Sequence, residues 1–151
     1  MSRIDFYHLQ KQTLDEVLPK LLQKAYSSGH RVLVKIGTAE RVEFINNALW
    51  TFSDESFLPH GSKKDGQAEE QPIWLTSDND NANGASYLFL VDGAEADVTT
   101  VKNFERLFNV FDGNVQTSLD QAREQWKIYR DAGFEMHYWQ QNANGAWKNK
   151  V

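Results

Sequence analysis

Three cations at helical spacing are the residues of this chain best suited to binding chemistry. Arg123, Lys127 and Arg130 recur at intervals of four and three within residues 117–132, a segment with the periodicity of an α-helix. Residues at these intervals share one side of a helix, and Trp126 lies next to them. Arginine can hold a carboxylate by two parallel hydrogen bonds. The pattern therefore predicts a site for a short acidic peptide with an apolar or aromatic end group.

Two other interpretations of this helix stay open. A solvated helix face with pairing between positions i and i+4 would show the same alternation of charges. Single-stranded nucleic acid is also bound by cations and aromatic rings. The formal net charge of −5 disfavours nucleic acid, although residues 119–151 carry five basic and four acidic side chains, so the acidity lies mainly in the rest of the chain.

The motifs of nucleotide-binding and hydrolytic enzymes are missing from the sequence. Residues 9–13, after the first predicted strand, contain no glycine, and neither G-x-G-x-x-G nor G-x-x-x-x-G-K-[ST] occurs. Gly37 and Thr38 form one turn that could hold an anion at a helix N-terminus, but most α/β domains have such a turn. No serine lies in a G-x-S-x-G turn. We expect no catalytic residue, and a nucleotide-binding enzyme on a Rossmann-like fold remains the alternative.

Metal-site signatures are equally weak. There is no cysteine, and the histidines His8, His30, His60 and His137 lie in separate segments without metal-ligand spacing. Residues 78–84 resemble a calcium loop, but the glycine and the position-twelve ligand are misplaced. We therefore expect no metal and no cofactor.

Large aromatic residues cluster in a second region. Trp50 ends the sequence Ala48-Leu49-Trp50, and Phe57 lies in residues 55–60 next to a polar segment. Taken alone, the pattern favours core positions for both, with an exposed anchor for a protein partner as the alternative.

The elements that must position these residues alternate along the chain. Strands are predicted at residues 4–9, 31–36, 72–76, 87–91, 108–111 and 134–139. Helices are predicted at residues 13–28, from Gly37 to Trp50, and at 98–107 and 117–132, and Pro19 predicts a later start or a kink in the first. This order indicates a three-layer α/β/α fold with a largely parallel sheet. We expect one domain over 1–151, with exposed polar loops near 61–71 and 77–86 and a C-terminal extension at 140–151.

Length and composition agree with a globular protein. The chain has 151 residues, of which 40% are hydrophobic and 25% charged. No apolar run approaches the ~20 residues that cross a bilayer, and the first residues lack the apolar core of a signal peptide. We expect a cytoplasmic protein with no membrane partner.

Five segments together resemble the chi subunit family of bacterial DNA polymerase III. They are Phe6-Tyr7, residues 29–34, Ala48-Leu49-Trp50, residues 55–60 (E-S-F-L-P-H) and residues 122–134 (A-R-E-Q-W-K-I-Y-R-D-A-G-F). The last three are fairly specific in combination, and the resemblance extends over about Ile4 to Met136. It implies an α/β domain similar to nucleotide-binding folds but without catalysis of its own.

The resemblance also implies partners. Members of the family link the clamp loader, through the psi subunit, to the acidic C-terminal tail of the single-stranded-DNA-binding protein, and they reach DNA only through that partner. Tail binding is expected at Arg123, Trp126 and Lys127, within the band that includes Arg130. Binding of psi, or of a repair helicase on the same surface, is expected at Trp50 and Phe57. This chain departs from the family at Leu119, where a further cation can occur, and in its longer polar C-terminus.

Overall fold

The computed structural model describes residues 2–51 and 58–150, and these residues form four helices and eight strands. The helices are α1 (Leu14–Ser27), α2 (Ala39–Trp50), α3 (Val98–Val101) and α4 (Gln116–Asp131), and a 3₁₀ turn lies at Ala68–Glu70. The strands are β1 (Arg3–Leu9), β2 (Val32–Ile36), β3 (Gly61–Ser62), β4 (Ile73–Thr76), β5 (Tyr87–Val91), β6 (Arg106–Asp112), β7 (Glu135–Gln141) and β8 (Trp147–Asn149).

All eight strands belong to one sheet in the order β3-β4-β2-β5-β6-β1-β7-β8. Every neighbouring pair is parallel except β7 and β8, which form an antiparallel hairpin. Helices cover both faces: α1 and α2 pack on one side, and α3 and α4 on the other. The predicted three-layer α/β fold with a largely parallel sheet is confirmed.

The central strands are apolar because both of their faces are buried. In β5, Leu88 and Leu90 point to the α4 side, whereas Phe89 and Val91 point to the α1 side. Such a continuous apolar run is typical of parallel strands between two helical layers. Among the described residues, no helix is long and apolar enough to cross a bilayer.

The predicted helix at 98–107 is wrong beyond its first turn. Asp97 caps α3 by accepting a hydrogen bond from the Thr100 backbone at 2.8 Å, and the helix ends at Val101. Arg106 and Leu107 instead begin β6, which pairs with β1 on one side and β5 on the other. Backbone pairing with two neighbouring strands outweighs the helical spacing of the apolar residues.

One further expectation needs correction. The predicted exposed loop at 61–71 begins with a buried edge strand, because Gly61 and Ser62 pair with β4. The C-terminal extension contains β8, whose Trp147 packs against the core on the α1 side. Helix α1 begins at Leu14 in spite of Pro19, since burial of its apolar side offsets the lost backbone hydrogen bond.

Candidate functional site

Helix α4 is held on the sheet by one buried side. Ala122, Gln125 and Tyr129 are buried, and the helix is followed by Gly133 in the left-handed region at φ +89°. Gln125 accepts a hydrogen bond from the Asn109 amide at 2.7 Å, and the Tyr129 hydroxyl donates to the Ala96 carbonyl at 2.5 Å. These contacts fix the rotation of α4 and therefore which side chains face solvent.

Trp126 lies half-buried at the edge of this contact. Its ring meets Phe6 of β1 at a centroid distance of 5.3 Å and Tyr138 of β7 at 5.5 Å, both edge to face. Such aromatic pairs add to the stabilisation that burial alone provides. The tryptophan is thus held in one orientation with part of its surface open to solvent, as a pocket wall requires.

The predicted cations lie beside Trp126 on the exposed side of α4. Arg123 and Arg130 are exposed and face acids of their own helix, Asp120 at 4.0 Å and Asp131 at 3.3 Å. Within the described part of the chain, Lys127 has no ion pair. Exposed pairs of this kind contribute little and exchange readily. All four predicted tail-site residues, Arg123, Trp126, Lys127 and Arg130, are therefore close together and available to an anion.

Two residues that sequence reasoning missed complete this surface. His8 of β1 and Tyr138 of β7 face α4, and the His8 Nδ1 lies 2.6 Å from the Tyr138 hydroxyl. Burial lowers the pKa of His8 and the nearby Arg123 lowers it further, whereas Asp112 opposes the shift. Burial raises the pKa of Tyr138, an effect that Arg123 reduces. We refer to Arg123, Trp126, Lys127, Arg130, His8 and Tyr138 as the α4 surface.

This pair of residues is invisible in the sequence because they are 130 positions apart. Only the parallel pairing of β1 with β7 brings them to the same side of the sheet. Gly113 supplies the space, since a side chain there would collide with the His8 ring. Leu119, where the family can have a further cation, is half-buried and packs on the core beneath α4.

The second predicted surface is only partly described. Trp50 ends α2 with 48% of its surface exposed, and its ring lies 4.1 Å from that of His60. The core interpretation of Trp50 is therefore wrong. Phe57, predicted to act with it, lies outside the described residues.

The crevice where a nucleotide would be expected is acidic. At the carboxyl ends of β1 and β6, whose following helices lie on opposite sides of the sheet, there is a cavity of about 540 Å³. This is the usual ligand position in open α/β sheets. Asp15, Asp92 and Asp112 line it together with Lys11 and Arg41, and the Arg41 guanidinium is paired with Asp92 at 2.8 Å. The acids outnumber the cations, so the cavity gives the nucleotide-binding alternative no support.

The histidines occupy unrelated places. His30 stacks on Tyr87, His60 contacts the Leu58 carbonyl oxygen, and His137 faces Glu135. In residues 2–51 and 58–150, no group of three or more acidic or histidine side chains converges as a metal site requires.

Comparisons with known proteins agree with the resemblance seen in the sequence. The family model described as DNA polymerase III chi subunit, HolC, matches residues 1–137. A probable DNA polymerase III subunit chi from Rickettsia prowazekii (strain Madrid E) is 31% identical over 109 residues, which cover 72% of this chain and 66% of that protein. The DNA polymerase III subunit chi of Escherichia coli (strain K12) is 25% identical over 146 residues, covering 91% and 97%.

Proposed function

Because the chain belongs to the DNA polymerase III chi subunit family, we propose that it is a non-catalytic adaptor that binds the acidic C-terminal tail of the single-stranded-DNA-binding protein. Its α4 surface takes the tail, and a second surface connects it to the clamp loader through psi. The protein works in the cytoplasm and reaches DNA only through the tail-bearing partner.

One observation carries the proposal: Trp126 is fixed between Phe6 and Tyr138 beside exposed Arg123, Lys127 and Arg130. The cations attract the carboxylates of the tail, and the tryptophan forms the wall against which its terminal aromatic residue packs. Arg123 is the side chain best placed to hold a carboxylate, because its guanidinium is close enough to affect the pKa of both His8 and Tyr138.

The proposed connection to psi rests on one exposed aromatic residue. The half-exposed Trp50 at the end of α2 is the part of that surface that the structure describes. Exposed tryptophans are frequent anchors in protein interfaces. A repair helicase that used the same tryptophan would compete with psi.

The tail site is tested by titrating the full-length chain with a fluorescein-labelled peptide of the tail. We expect saturable binding that weakens as salt rises, since exposed charges are screened within about 8–10 Å at physiological ionic strength. A peptide without the terminal aromatic residue should bind more weakly at every salt concentration. Equal binding of the two peptides, or no binding, would contradict the proposal.

A labelled single-stranded oligonucleotide serves as the control for the nucleic-acid interpretation. In the absence of the single-stranded-DNA-binding protein, we expect no mobility shift of the oligonucleotide, because the chain carries a net charge of −5. A shift that competes with the tail peptide would favour direct nucleic-acid binding at the α4 surface instead.

A further inference from the structure

A groove lies on the side of the sheet opposite α4. Helix α1 packs over β2 and β6. Beside it, the α1-facing residues of β1, β6 and β7 line a groove of about 940 Å³. That volume is at the upper end of typical ligand pockets. The groove is separated from the α4 surface by the whole thickness of the sheet.

Aromatic rings form the floor of the groove. Trp139, Tyr7 and Phe108 lie on the adjacent strands β7, β1 and β6, with neighbouring rings within 16° of parallel. Trp147 of β8 closes one end by meeting Tyr7 edge on at 5.1 Å. Tyr87 of β5 continues the floor beyond Phe108 at 5.5 Å. The floor is thus apolar and built from rings that hold one another in place.

Two lysines supply the positive charge of the rim. Lys20 and Lys24 are exposed on one side of α1, whereas the Arg106 guanidinium, 4.3 Å above the Phe108 ring, is already paired with the buried Asp5 at 2.6 Å. No Asp or Glu is among the described residues that line the groove. This is unusual for a chain with 21 acidic and 16 basic residues. The local charge therefore favours an anionic occupant, and the floor favours one with an aromatic or large apolar side chain.

We propose that this groove is a second docking site, for an acidic peptide segment of a partner protein that inserts one aromatic or large apolar side chain between α1 and the rings of Tyr7 and Trp139. A peptide fits better than a nucleic acid. The chain carries a net charge of −5, and with Arg106 paired to Asp5 the described rim has only Lys20 and Lys24 to contact phosphates. A site on this face can be occupied while the α4 surface holds another partner.

The test selects peptides from a random phage-displayed library on the full-length chain carrying Arg123→Ala, which weakens the α4 surface. We expect the enriched peptides to combine Asp or Glu with Phe, Tyr, Trp or Leu. A synthetic copy of the most enriched peptide should lose at least about tenfold in affinity when Lys20→Glu and Lys24→Glu are added. The matched control is Lys63→Glu with Lys64→Glu, the same charge change beside β3 at the far edge of the sheet.

The outcomes separate this groove from the tail site. Equal affinity for the Lys20/Lys24 and Lys63/Lys64 variants, with both folded by thermal melting, would overturn the groove proposal and leave the α4 proposal untouched. Recovery of basic or uncharged peptides would also overturn it. Binding of an oligothymidine probe that is lost in the Lys20/Lys24 variant would assign the groove to nucleic acid instead.

Discussion

Replacing Arg123 by alanine is expected to weaken binding of the acidic tail peptide by about tenfold or more. A hydrogen bond to a charged group contributes about 1.5–3 kcal/mol, and about 1.4 kcal/mol corresponds to a factor of ten in affinity. The fold should be unaffected, because Arg123 is exposed and its nearest acid, Asp120, is 4.0 Å away. Peptide titrations of the two proteins under the same salt conditions measure the difference.

Lys64→Ala is the matched control for this substitution. Lys64 is an exposed cation in the turn after β3, at the opposite edge of the sheet from β7. Its removal changes the net charge equally, so it reports the general electrostatic effect. If Arg123→Ala and Lys64→Ala reduced the affinity to the same extent, the attraction would be non-specific and the assigned site would be wrong.

Replacing Asp5 by asparagine is expected to cost about 3–5 kcal/mol of the free energy of unfolding, the usual loss when one partner of a buried ion pair is removed. The Asp5 side chain is fully buried and accepts hydrogen bonds from Arg106 at 2.6 Å, Trp139 at 3.0 Å and Arg3 at 3.1 Å. Asparagine has nearly the same shape but no charge, and its amide would face guanidinium donors. Urea denaturation measures the loss.

Acid should remove the same stabilisation. Burial raises the pKa of Asp5, but the hydrogen bonds from Arg106, Trp139 and Arg3 outweigh it and hold the pKa below its ordinary value of 3.8. The contribution is therefore complete above that value and is lost as the pH falls through the pKa of the folded protein. The wild-type protein should lose more stability than Asp5→Asn in this acidic range.

Asp92→Asn is the control for Asp5→Asn. Asp92 also pairs with an arginine, Arg41 at 2.8 Å, but both side chains are about one-third exposed. Its backbone lies in the left-handed region at φ 54°, which asparagine tolerates. We expect a loss of no more than about 1 kcal/mol. An Asp5→Asn protein as stable as Asp92→Asn would contradict the structural role of the buried carboxylate.

Local sequence patterns are sufficient to predict the features that depend on neighbouring residues of the same helix or strand. The spacing of Arg123, Lys127 and Arg130 predicted their common side of α4, and the apolar run of β5 predicted a central strand. The segment around Arg106 was predicted incorrectly because its strand depends on pairing with β1 and β5, which are distant in sequence. For the same reason, neither His8 and Tyr138 nor the ring floor of Tyr7, Phe108 and Trp139 could be recognised before the strand order was known.

The most direct test of the tail site is a map of backbone amide resonances of the ¹⁵N-labelled chain as the tail peptide is added. We expect the changes to concentrate at Arg123, Trp126, Lys127 and Arg130 and to extend to His8 and Tyr138. Changes concentrated in the groove beside α1, or in the acidic crevice after β1 and β6, with α4 unaltered, would contradict the account.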